Sequence, residues 1–124
     1  MIVDIKKVKI FVTVPLKNVD DVRNAMCEAG AGFIGNYSFC TTSTKSIGTF
    51  IPNKNAKPHI GKANRLEYVE EEKLEAVCDL SKVKQVITKI RETHPYEEPA
   101  IDIVPLLEEN MFNQYNQNLA NKTP

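Results

Sequence analysis

Two hydrophobic periods alternate along the chain. In "VKIFVTVP" (8–15), Val8, Ile10, Val12 and Val14 alternate with Lys9, Phe11 and Thr13. That is the period of a strand with one face on a core, and Pro15 ends it. In "NVDDVRNAMCEAG" (18–30) the period lengthens: Val19, Val22, Met26 and Ala29 fall at helical spacing. Asn18 or Asp20 can cap the start, the early aspartates suit the positive end of the dipole, and Gly30 is a stop. Strand-like alternation returns in "GNYSFCTTST" (35–44), with Tyr37, Phe39 and Thr41 on one side. The segment 45–64 is rich in Gly, Pro and Asn and reads as a long loop, with room for a short strand at "GTFIP". A third strand is predicted over Lys73–Asp79. A second helix follows over 81–92, with Val83, Val86, Ile87 and Ile90 on one stripe and Ser81 or Asp79 as cap. "AIDIVPL" (100–106) is the last strand. The polar tail, 108–124, either forms a short helix through Met111, Phe112, Tyr115 and Leu119 or is partly disordered.

The order strand, helix, strand, repeated once, predicts an α+β fold over residues 1–107. It is the ferredoxin-like sandwich, an antiparallel four-stranded sheet with both helices on one face. Two helices leave the other face bare, and Phe11, Tyr37 and Phe39 make that face partly apolar. Burial of each large apolar side chain is worth about 1.5–3 kcal/mol, so such a face should find a partner. A homo-oligomer packed sheet to sheet is expected.

Composition narrows the partners. The chain has 124 residues, enough for one domain with a real core, and 16 basic residues balance 16 acidic ones. A dedicated nucleic-acid binder would show a basic excess or stripe, and this sequence has neither. No apolar run approaches the ~20 residues that span a bilayer, and "MIVDIKKVKIFVTVP" has no long apolar h-region. A cytoplasmic location is the expectation. Cys27, Cys40 and Cys78 are scattered and odd in number, poor material for a disulfide framework.

Candidate chemistry concentrates in "HPYEEP" (94–99). His94 follows a helix C-terminus, where the dipole favours imidazolium, and Glu97 and Glu98 push the same way. Pro95 stops the helix and biases His94 toward extended geometry. An extended stretch would point His94, Tyr96 and Glu98 to one side. The competing reading is architectural: the prolines fix a corner, the Tyr ring packs, and His94 caps helix carbonyls. His59 reads as structural or solvated, and "VEEEK" (69–73) as a solvated face. There is no GxSxG, no Walker loop and no HExxH. Gly30, Gly32 and Gly35 give GxGxxG spacing, but after a helix and before a strand, the reverse of the dinucleotide-binding context.

The stretches "EAGAGFIGNYSFCTTST", "GTFIP", "PHIGKANRLEYVEE" and "HPYEEPAIDIVPL" resemble, in order, the inserted domain of the Nif-three-like dinuclear-metal proteins, often labelled GTP cyclohydrolase type 2-like. The corner also resembles that of CutA, a trimeric divalent-cation-tolerance protein, and both are similar to the PII signalling fold. Within the insert pattern, Ser46 stands where a glycine is common and Asn55 replaces the usual glycine before Ala56. The two metals of the full family lie in flanking domains rich in His, and this chain has only two histidines. The resemblance therefore implies a stand-alone, non-enzymatic PII/CutA-like trimer that takes a metal ion or small ligand in clefts between subunits. Its candidate ligand positions are Asn36, Tyr37, Glu75 and Glu98. Its candidate metal ligands, for Cu or Zn, are His94 and Cys40. The alternatives are a regulatory module whose 45–64 loop orders on a small molecule or protein, and a hydrolase.

Overall fold

The structure, a computed structural model, describes residues 3–113. Four strands and two helices follow in the order β1 (Lys7–Pro15), α1 (Val19–Glu28), β2 (Thr42–Phe50), β3 (Glu67–Asp79), α2 (Val83–Thr93) and β4 (Ile101–Pro105). The strands form one sheet in the order β2-β3-β1-β4, every pair antiparallel. This is the expected ferredoxin-like sandwich.

The alternation in β1 does what its period requires: Val8, Ile10, Val12 and Val14 are buried. They meet Leu74, Ala76 and Cys78 of β3, and Val22, Met26, Val86 and Ile90 of the helices close the same core. Neither helix start uses a side-chain cap. Asn18 and Lys82 hold the cap positions without capping hydrogen bonds, because each helix is entered through a 3-10 turn, Leu16–Asn18 and Leu80–Lys82.

The second strand lies elsewhere than expected. Residues 35–41 are loop and β2 begins at Thr42. Ile34 and Tyr37 exchange both backbone hydrogen bonds, at 3.0 and 2.9 Å, around a two-residue turn. Gly35 at its first central position has φ +56°, a conformation that glycine adopts freely. The true strand, "TSTKSIGTF", pairs only with β3 and has no fully buried residue, so it carries no hydrophobic alternation to read. β3 is also longer than Lys73–Asp79, and its first half forms a hairpin arm with β2.

The exposed sheet face is correspondingly different. Tyr37 and Phe39 are not on it. Phe11 is, but the Lys73 ammonium lies 4.9 Å from its ring centroid, and beside it Lys9 and Glu75 pair at 3.2 Å. The middle of this face is covered by the chain's own charged side chains. In the tail, Glu109–Phe112 form a 3-10 turn; Tyr115 and Leu119 lie outside the described residues. Among the described residues no helix is long and apolar enough to cross a membrane.

Candidate ligand cleft

Helix α2 ends where Pro95 forbids another turn, and His94 leaves it in extended geometry with ψ 136°. The imidazole turns inward and is only 6% exposed. Its Nδ1 accepts the Tyr96 backbone N–H at 3.1 Å, and its Nε2 lies 2.7 Å from the Thr13 carbonyl oxygen. Because Nδ1 accepts, Nε2 carries the proton and donates it to Thr13. The ring thus ties the end of α2 to the end of β1.

Both expectations for His94 are corrected by this arrangement. Burial holds its pKa below the ordinary value, with His59 acting in the same direction. The Thr13 carbonyl and Glu71 oppose that shift without overcoming it. The ring is therefore neutral rather than an imidazolium, and neither nitrogen has a lone pair free for a metal.

The same corner carries Tyr96 over the end of the sheet. Its ring centroid lies 4.8 Å from that of His94, and its hydroxyl donates to Glu71 Oε2 at 2.7 Å. Burial, and after it the Glu71 hydrogen bond and charge, push the Tyr96 phenol far above its ordinary pKa. Strand parity explains why Glu71 is here. It pairs with Pro15 and Ser46, and so points away from the helices like Phe11 and Lys73. It is nevertheless 6% exposed, because the corner and the 51–66 loop cover this end of the sheet. Diagonally across from it on β2, Gly48 leaves room: a Cβ there would fall on the Glu71 carboxylate.

Above the Glu71–Tyr96 pair opens a cavity of about 520 Å³, bounded by β2, the loop and the corner. Phe50, Pro52, Ala56 and Ile60 give it apolar walls, and the His59 ring stands 6.3 Å from Tyr96. Glu97 and Glu98 line its rim. Glu97 accepts the Lys57 backbone N–H at 3.1 Å, fastening loop to corner. The volume falls in the range of small-molecule sites, as does the pattern of apolar walls around a few polar groups.

Of the candidate ligand and metal positions, only Glu98 lines this cleft, with His94 supporting it from below through Tyr96. Asn36 and Tyr37 sit at the exposed turn after α1. Glu75 is engaged by Lys9. Cys40 donates its backbone N–H to the Gly32 carbonyl, and the Gly32 N–H donates to Val77. Val77 pairs with Lys9, four residues along β1 from Thr13, a rise of ~13 Å at ~3.3 Å per residue. Cys40 and His94 therefore lie toward opposite ends of the sheet and do not meet within one chain. Among the described residues no three of His, Cys, Asp and Glu are placed to hold a metal ion. The two buried thiols, Cys27 and Cys78, are pushed above their ordinary pKa by burial.

Sequence reading missed Glu71 and Gly48. Glu71 hides in a run of three glutamates that looks like a solvated face. The available signal was a glycine on the neighbouring, otherwise threonine-rich strand, diagonal to it.

No family model matches the chain. Among curated proteins, the GTP cyclohydrolase 1 type 2 homolog of Halalkalibacterium halodurans is 46% identical over 101 residues, 82% of this chain and 27% of that protein. The one from Bacillus subtilis is 47% identical over 98 residues, 79% of this chain and 26% of that protein. This chain thus spans about a quarter of the length of these relatives. A crystal structure of a Bacillus cereus protein related to NIF3 superposes with TM-score 0.74 at 38% identity, over 86% of this chain and 27% of that one. CutA1 from the psychrotrophic bacterium Shewanella sp. SIB1 superposes with TM-score 0.64 over 98% of this chain and 99% of its own. Its 17% identity makes that likeness one of fold. By sequence and fold together, the chain is homologous to a CutA-like segment of the NIF3-related GTP cyclohydrolase 1 type 2 homologs.

Proposed function

We propose that this chain is a non-enzymatic, CutA-like ligand-binding domain that works as a homo-oligomer and takes a small organic molecule in the cleft above Glu71 and Tyr96. One observation carries the reading: a cavity of about 520 Å³ with apolar walls has a buried, hydrogen-bonded carboxylate on its floor. Such a combination orients a ligand by one polar anchor and holds it by apolar contact. The nucleotide chemistry in the relatives' name is not supported by this cleft. Its lining includes Glu71, Glu97 and Glu98 and no Lys or Arg, the wrong sign for a triphosphate.

The 51–66 loop supplies one wall, so occupancy and loop position are coupled; regulation by loop ordering is a consequence of ligand binding here and not a rival to it. The test is native mass spectrometry of the purified chain, joined to amide-shift mapping with a mixed library of small cations, anions and neutral compounds. A multimer whose ligand-induced shifts centre on Phe50, Glu71 and Tyr96 is the expected result. A monomer, or a library in which no compound moves those amides, refutes the reading.

A further inference from the structure

The cleft also specifies the charge of what it binds, an inference that rests on the cleft being the ligand site. Glu71 Oε2 accepts the Tyr96 hydroxyl. Among the described residues no side-chain hydrogen bond or ion pair reaches Glu71 Oε1, and no Lys, Arg or His pairs with this carboxylate. A carboxylate that is 6% exposed and has no cationic partner is costly to keep, because a phenol hydrogen bond replaces only part of its lost hydration. Its surroundings do not supply the missing charge. Glu97 and Glu98 add two more acidic groups at the rim. Of these, only Glu98 has a basic neighbour, Arg91, at a loose 3.8 Å across the exposed surface. The walls are aromatic and aliphatic. Phe50 and His59 stand at 6.4 and 6.3 Å from Tyr96, ring centroid to ring centroid, and ring faces attract organic cations.

We infer that the ligand is an organic cation, an ammonium or guanidinium group on an apolar body, whose charged head pairs with Glu71 while its body lies against Phe50, Pro52 and Ile60. A bare metal ion is a poorer match. One carboxylate backed by a phenol offers too few ligands, and the apolar walls would stay wet. An anion is excluded by sign. The head needs N–H donors, since Glu71 Oε1 is the carboxylate oxygen that no side-chain hydrogen bond or ion pair reaches among the described residues, and the body explains why a site for a cation is mostly apolar.

The experiment compares three isosteric probes at pH 7.5 and low salt: 4-phenylbutylammonium, 4-phenylbutan-1-ol and 4-phenylbutyrate. Affinities come from calorimetry and positions from amide-shift mapping of the full chain. The ammonium should bind at least ~10-fold more tightly than the alcohol, as a charge-assisted hydrogen bond in a desolvated site requires, and the carboxylate should bind more weakly still. Its shifts should cluster on Gly48, Phe50, Glu71 and Tyr96. In Glu71→Gln, which keeps shape and can still accept from Tyr96, the preference for ammonium over alcohol should fall to within ~2-fold. Equal binding of the alcohol, or tighter binding of the carboxylate, at those same residues overturns the cation inference while leaving the cleft as a ligand site. Ammonium shifts that map elsewhere overturn it too. The wild-type comparison stands without any variant.

Discussion

Gly48 and Glu71 are diagonal neighbours across the β2–β3 pair, Gly48 standing opposite Val69 and Glu71 opposite Ser46, and the absent Cβ of the glycine is the space that the carboxylate occupies. Glycine weakens a strand interior by backbone entropy and lost packing, so a methyl group here would ordinarily help. It should instead destabilise. In Gly48→Ala the carboxylate must leave its bond to Tyr96 or force the strands apart, at a cost of about 1–3 kcal/mol in urea unfolding. Glu71→Ala removes the obstruction, so the double variant should be clearly more stable than the sum of the two single losses implies. Strict additivity would show that the two positions do not meet.

The Tyr96 hydroxyl holds that carboxylate at 2.7 Å. Tyr96→Phe leaves a buried acceptor facing a hydrocarbon edge and should cost about 1–2 kcal/mol. The phenol's raised pKa sets a second observable. A group whose pKa is raised on folding contributes stability that is complete below its unfolded value, about 10, and is lost as pH rises above it. Wild-type stability should therefore decline in the alkaline range more steeply than that of Tyr96→Phe. Denaturant melts at pH 8 and pH 10.5 check the difference.

Fold and site were unequally legible. β1 and both helices were readable because each buries one face, and burial leaves a period in the sequence; β4 has no buried residue and was readable from its short apolar run between Pro99 and Pro105. β2 was not, because it is an outer strand with no fully buried position. Tyr37 and Phe39, at the alternating spacing of a strand, stand in the preceding loop, where Gly35 and Phe39 both have φ +56°. The corner was legible as a rigid turn because prolines act locally. Its partner was not, because the link from Tyr96 to Glu71 crosses 25 residues and depends on which way one glutamate of three points. That direction follows only from the register of β3 against Ser46 and Pro15. The polar anchor of a cleft is then set by pairing, which leaves no local mark.

His94 offers a pH test with the opposite sign to Tyr96. Its folded pKa is depressed, mainly by burial. It therefore contributes stability above its unfolded value of about 6.5 that is lost as pH falls through the lower folded value. The groups facing the ring are the Thr13 carbonyl, Tyr96, Glu71 and His59. Wild-type stability should fall between pH 6.5 and 5, and proton NMR should show a ring that titrates below the ordinary histidine range. In His94→Gln this acid dependence should weaken, with an overall loss of about 1–3 kcal/mol from the two buried hydrogen bonds. A ring that titrates normally would mean that it is not locked between Thr13 and Tyr96.

The proposed homo-oligomer has two candidate contact surfaces. The open sheet face was the expectation from sequence, but Lys73 and the Lys9–Glu75 pair cover Phe11 there. The hairpin arm is the stronger candidate. Ile47 pairs with Glu70 and Thr49 with Tyr68, which puts Ile47 and Tyr68 diagonally adjacent on the helix-side face. Each is 69% exposed. Leu66 and Ile51 at the base of the loop are exposed as well, so exposed apolar side chains recur along the arm. Ile47, on β2, is also among the residues that line the cleft. Ile47→Glu with Tyr68→Glu should therefore weaken self-association at least ~30-fold, the effect of losing a central apolar anchor. Phe11→Ala should leave the oligomer intact. Light scattering across a dilution series reads both, and dissociation by Phe11→Ala alone would return the interface to the sheet face.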